Sequence, residues 1–174
     1  MENARKGKES EILMEKITSF TIDHIKLQPG LYVSRKDPVG GTMVTTFDLR
    51  VTSPNEEPVM NTAEMHTMEH LAATYLRNEP QWKEKVLYFG PMGCQTGFYL
   101  LVRATPCEVV LNSVIETLEK IITHDGDMPG AKREECGNYK NLSLEAAKTE
   151  AKRYLNILKS KNNDFEYKTG GFCK

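Results

Sequence analysis

Met43-Val44-Thr45-Thr46-Phe47-Asp48-Leu49-Arg50-Val51-Thr52 alternates between polar and apolar residues from Thr46 onward. Successive side chains of a strand point to opposite faces. Met43, Thr45, Phe47, Leu49 and Val51 therefore share one face, and Val44, Thr46, Asp48, Arg50 and Thr52 share the other. The spacing predicts a half-buried strand with Arg50 on its polar side.

Downstream the period changes. Thr62 to Arg77 reads as a helix whose main apolar stripe is Met65, Met68, Leu71, Ala72, Tyr75 and Leu76. Lys85 to Phe89 and Gln95 to Arg103 read as strands separated by the turn residues Gly90-Pro91-Met92-Gly93. Thr105-Pro106-Cys107-Glu108 has the pattern of a capping box with proline at the first helical position. Behind it Cys107, Val110, Leu111, Val114, Ile115, Leu118, Ile121 and Ile122 keep helical spacing. Asp125 to Asn141 is irregular, and a last helix begins near Ser143, a good N-cap. The tail from Asn162 to Lys174 is polar and is expected to fray.

Upstream, Ser19 to Ser34 reads as a strand or two broken at Pro29-Gly30. Residues 1–13 carry three acids and three bases with little to bury, and read as a mobile extension for which Met14 is an alternative start. Residues 14–174 read as a single domain. Strands in succession with helices between some of them predict an α+β layer architecture.

Composition narrows the function. Twenty-three basic against twenty-four acidic residues leave a net charge of −1, which offers no electrostatic case for nucleic acid. The longest apolar run is Phe98 to Val102, far short of the roughly 20 residues that span a bilayer. The four cysteines, at 94, 107, 136 and 173, show no CxxC spacing. A cytoplasmic domain with reduced thiols is the expectation.

The chemistry concentrates in His66-Thr67-Met68-Glu69-His70. Residues four apart lie on one side of a helix, so both imidazoles can reach one ion with Glu69 beside it. On the order of one chain in a hundred of this composition would carry HxxEH by chance. At about 100° per residue the two histidines point away from the Met/Leu stripe, on the side of Ala63 and Ala73. The plainer alternative is a pair of solvent-exposed histidines. A catalytic metal wants three protein ligands and an open position, and Cys94, Cys136, His24 and several acids could supply the third. Cys136-Gly137 lies in the irregular segment and Cys94 follows a turn. Cys107 falls on an apolar stripe as a small hydrophobe. Cys173 is expected to be a free thiol, and His124 to close a helix structurally. An HxxEH zinc metallopeptidase is one reading of these residues. A non-enzymatic structural site, with Cys94 as fourth ligand, is another.

Five segments together resemble the LuxS, or S-ribosylhomocysteine lyase, family. They are Ser19-Phe20-Thr21-Ile22-Asp23-His24, Phe47-Asp48-Leu49-Arg50, His66-Thr67-Met68-Glu69-His70, Pro91-Met92-Gly93-Cys94-Gln95-Thr96-Gly97-Phe98-Tyr99 and Cys136-Gly137. They occur in the family's order over about residues 15–160. The resemblance implies a two-layer α+β sandwich with a small, mostly antiparallel sheet, and a homodimer with active sites at the interface. It implies one divalent metal per subunit, natively Fe²⁺ and replaceable by Co²⁺ or Zn²⁺, on His66, His70 and Cys136. It makes Cys94 and Glu69 the catalytic pair, with Ser19, His24 and Arg50 lining the substrate pocket. Two features depart from the family: residues 1–13 have no counterpart, and Tyr88-Phe89-Gly90 lacks the aspartate some members carry there.

The implied reaction releases homocysteine from S-ribosylhomocysteine and leaves a five-carbon diketone, the precursor of autoinducer-2. The carbonyl has to migrate from C1 to C3 before the C4 proton is acidic enough for β-elimination. A cation suits these steps because each develops negative charge on oxygen. A Cys94 thiolate can take the carbon-bound protons, and Glu69 can move protons among oxygens and at C4. Arg50 is expected either to hold Cys94 as thiolate or bind a substrate oxygen, or to form a salt bridge with no part in catalysis.

Overall fold

The computed structural model describes residues 14–168. A 3₁₀ turn at Thr18–Phe20 leads into β1 (Gly30–Val39) and β2 (Thr42–Arg50). Then follow α1 (Thr62–Asn78), β3 (Val86–Pro91), β4 (Gly97–Arg103), α2 (Cys107–Thr123) and α3 (Leu144–Ser160). The four strands form one antiparallel sheet in the order β1-β2-β4-β3. The N-terminal extension read at 1–13, and Cys173, lie outside the described residues.

The β1–β2 hairpin closes on Gly40 and Gly41, with φ of 54° and 80°. A two-residue turn with both central residues left-handed matches the twist of the strands it joins. Pro29-Gly30 does not break a strand, as its turn chemistry suggested. Gly30 opens β1, which then runs unbroken to Val39 except for an irregularity between Val33 and Arg35.

The alternation in 43–52 is borne out. Phe47, Leu49 and Val51 face the helices and bury with Leu71, Val114, Leu118, Ala151 and Leu158 in one core. Met43, at the start of the same row, stays 41% exposed. On the other face, Asp48 and Arg50 are only 1% and 2% exposed. The polar side of the strand is therefore covered. The C-terminal segment covers it: Tyr167 donates a hydrogen bond to Asp48 Oδ2 at 2.8 Å and stacks on Tyr32 at 4.9 Å. The described part of the tail thus packs where fraying was expected, because its two aromatics, Phe165 and Tyr167, both bury.

Helix starts differ from their sequence signals in two places. The box at Thr105–Glu108 does not form: α2 has Pro106 at its N-cap, and the Thr105 hydroxyl donates to the Arg103 carbonyl instead. The true capping box is on α1, where Asn61 accepts from the Ala63 and Glu64 amides and Glu64 reaches back to the Asn61 amide. Ser143 does stand at the N-cap of α3, but its side chain caps nothing. Its amide donates to Thr67 Oγ1 on α1 at 2.8 Å, tying α3 to α1. His124 is the C-cap of α2 and sits 2.7 Å from the Tyr75 hydroxyl, a structural position as expected.

Candidate metal centre and thiolate site

Helical periodicity brings His66 and His70 side by side on α1, with ring centroids 4.4 Å apart. Each ring is pinned through Nδ1. His66 Nδ1 lies 2.9 Å from the Asn141 carbonyl, and His70 Nδ1 lies 2.8 Å from the Pro129 carbonyl. A carbonyl oxygen can only accept, so both Nδ1 atoms donate, and in the neutral imidazole that tautomer leaves the Nε2 lone pair for an ion. Metal-ligating histidines are ordinarily held in this manner.

The irregular segment between α2 and α3 supplies these carbonyls and the third donor. Cys136 Sγ lies 3.4 Å from His66 Nε2 and accepts from the Asn138 amide at 3.4 Å. The donor atoms of His66, His70 and Cys136 all lie within 4.8 Å of one another, a span one ion can bridge. Two imidazoles and one sulfur, oriented by the backbone, fit a first-row divalent metal with a coordination position left for substrate. Glu69 stands half-buried one residue before His70. No hydrogen bond or ion pair engages its carboxylate among the described residues.

A second cluster surrounds Cys94. Arg50 is fixed by Asp48, whose Oδ2 accepts from the guanidinium at 2.6 Å and from Tyr167. The same guanidinium donates to Thr96 Oγ1 and reaches Cys94 Sγ at 3.9 Å. Thr96 Oγ1 is 3.0 Å from that sulfur. Burial pushes the Cys94 thiol up, but the hydroxyl and amide of Thr96 and the positive charge of Arg50 outweigh it, and the net shift is downward. Cys94 itself is exposed. An exposed thiol with a lowered pKa can act as base or nucleophile.

The structure joins the sequence-derived residues unevenly. His66, His70 and Cys136 converge, and Arg50 meets Cys94. Cys94 is not part of the three-residue donor group among the described residues of one chain. Ser19 lines a cleft of about 620 Å³ on the outer sheet face with Ser34, Thr46, Tyr99 and Leu101. His24 donates from Nδ1 to the Ile22 carbonyl at 2.8 Å. Neither Ser19 nor His24 bonds to Arg50 or Cys94 among the described residues.

A profile of the S-ribosylhomocysteinase (LuxS) family matches residues 17–165. The chain belongs to this family. It is 50% identical over 155 residues to the S-ribosylhomocysteine lyase of Clostridium acetobutylicum, covering 87% of this chain and 96% of that protein. The lyase of Finegoldia magna is 52% identical over 146 residues, covering 83% and 92% of the two chains. That of Borrelia garinii is 49% identical over 156 residues, covering 88% and 99%.

Three residues packed against the candidate site were missed by sequence reasoning. Thr96 lay inside a quoted motif without a task. Asp48 was placed on the same strand face as Arg50, two residues away, and that spacing was signal enough for an ion pair. Gly130 follows Pro129 in the irregular segment, and only its closeness to His70 shows why it is glycine.

Proposed function

We propose that this protein is a carbon–sulfur lyase that cleaves S-ribosylhomocysteine to homocysteine and 4,5-dihydroxy-2,3-pentanedione. The observation that carries the reading is the His66–His70–Cys136 triad, its two histidines oriented by backbone carbonyls, in a chain about half identical to proteins of that activity. The peptidase alternative gives the Cys94 cluster no task.

His66, His70 and Cys136 would hold a divalent ion, which would supply a Lewis acid for the sugar's oxygens; we take Fe²⁺ as the native metal, with Co²⁺ or Zn²⁺ able to replace it. Cys94, as thiolate, removes and returns the carbon-bound protons while the carbonyl migrates along the chain. Glu69, with a carboxylate not committed to another residue, moves protons between oxygens and takes the C4 proton at elimination. Arg50 holds the Cys94 charge and contributes a donor to substrate oxygen, with Ser19 and His24 assigned to the same pocket.

The working unit is a homodimer. Within one chain the triad belongs to the helix layer, while Arg50 belongs to the opposite face of the sheet. Among the described residues no hydrogen bond or ion pair links the two clusters. The outer cleft beside Ser19 and the exposed apolar side chains Ile17, Phe20 and Tyr88 are the surface we assign to the second copy. We place the enzyme in the cytoplasm, where its thiols stay reduced, with residues 14–174 as the catalytic domain and 1–13 as an extension. No helix among the described residues is long and apolar enough to cross a membrane. The product diketone would feed autoinducer-2 formation and the homocysteine would be recycled in the methyl cycle.

The test is thiol release from S-ribosylhomocysteine by anaerobically purified protein, followed with a chromogenic disulfide. Metal-dependent release that is lost in Cys94→Ala is expected; silence from fully metallated protein overturns the reading. For the dimer, Cys94→Ala and His66→Ala subunits are mixed after unfolding. Activity regained in the mixture supports shared sites, and none regained argues against them.

A further inference from the structure

We infer that Thr96 is a positioning residue for the lyase, passing the polarity of Arg50 to Cys94 through its side-chain hydroxyl. The inference rests on the functional reading above for the task of Cys94, but its geometry stands without it.

A threonine hydroxyl has one hydrogen to give and lone pairs to receive with. At Thr96 the Arg50 guanidinium, which has no lone pair to accept with, donates onto Oγ1. The hydroxyl hydrogen must then go elsewhere. The acceptor within reach among the described residues is Cys94 Sγ, 3.0 Å away. Were Cys94 a neutral thiol donating to Thr96, the hydroxyl hydrogen of a residue only 4% exposed would have no acceptor. The Thr96 hydroxyl is therefore satisfied only when the sulfur is the acceptor, a role that a thiolate fills better than a thiol.

Two further features fix the relay. Gln95 adopts a left-handed φ of 62°, folding the chain so that Thr96 lies back beneath Cys94 and its amide also bonds the sulfur. Asp48, itself held by the Tyr167 hydroxyl, locks the guanidinium at the far end. Arg50 Nη1 is 3.9 Å from the sulfur, so its direct bond is long. The hydroxyl, nearer by almost an ångström, shortens the path from charge to charge.

The test measures Cys94 without substrate, so its failure and failure of the lyase assignment are separable. Iodoacetamide alkylation of the metal-loaded protein is followed against pH, with Cys94 resolved from the other cysteines by peptide mass spectrometry. Thr96→Val keeps the shape and deletes the hydroxyl; its alkylation midpoint is expected to rise by about one pH unit, a tenfold loss of thiolate on the acid side. Thr96→Ser is expected to return the midpoint to that of the parent. Should Thr96→Val fail to fold, as judged by circular dichroism, Thr96→Ala makes the same comparison against Thr96→Ser. A midpoint in the hydroxyl-free variants that matches the parent overturns the inference, whatever the thiol-release assay shows.

Discussion

Gly130 lies flat against the imidazole of His70. A methyl group on its Cα would fall 2.5 Å from Nδ1 and 2.6 Å from Cε1, and its φ of 69° is one that side chains rarely adopt. The Pro129 carbonyl that orients His70 belongs to the residue just before it. The glycine is therefore what allows the chain to come near enough to set the histidine's tautomer. Gly130→Ala is expected to lower metal affinity by about 10–100-fold, the usual cost of disturbing an outer-shell partner, with the helices intact. Competition with a graded series of chelators, followed by elemental analysis, measures it.

Cys136 and Cys94 are expected to separate cleanly on mutation. Cys136→Ala removes one of three donors and should leave the purified protein depleted of metal. Cys94→Ala should keep full occupancy while thiol release disappears. Full metal occupancy in Cys136→Ala would remove that residue from the coordination shell.

The pH dependence follows from the direction of the Cys94 shift. Its pKa in the folded protein lies below that of an ordinary thiol, so the thiolate, and with it kcat/KM, persists to lower pH before falling as the sulfur protonates. The same sign applies to stability: the contribution is present above the unfolded thiol's pKa and is lost as pH falls through the folded one. Arg50→Met removes the positive charge and should move the acid limb of the rate profile upward. A limb that stays in place in that variant would show the guanidinium has no electrostatic hold on Cys94.

Tyr167 donates to a carboxylate that is almost fully buried and already paired with Arg50. Tyr167→Phe deletes that donor without changing shape. A hydrogen bond to a charged group is worth about 1.5–3 kcal/mol, so the loss in unfolding free energy should fall in that range. Urea denaturation at constant m-value gives the figure, and a loss near zero would mean water replaces the hydroxyl.

Stripping the metal is expected to stop thiol release and lower the thermal midpoint, since an ion that binds only the folded chain stabilises it. Adding back Fe²⁺ or Co²⁺ anaerobically should restore both. Recovery of the midpoint without recovery of activity would assign the triad a structural task alone.

How far the sequence carried these conclusions can be seen residue by residue. The period-two pattern of 43–52 located Arg50 on the correct face because strand geometry leaves only two faces to choose from. HxxEH located both imidazoles because helical geometry is equally rigid. Thr105 misled because α2 takes Pro106 as its N-cap, so the threonine stands outside the capping position and its hydroxyl donates to the Arg103 carbonyl.

Local periodicity and short motifs thus determined, without coordinates, the strand, the three helices, the paired histidines and the family resemblance. The tertiary structure alone decided what those residues touch. The carbonyls that orient His66 and His70 lie 75 and 59 residues away in a segment with no periodicity to read. The tyrosine that seals Asp48 comes from 119 residues downstream. Such partners are chosen by how the layers pack, and packing brings together residues whose spacing along the chain carries no signal of their contact.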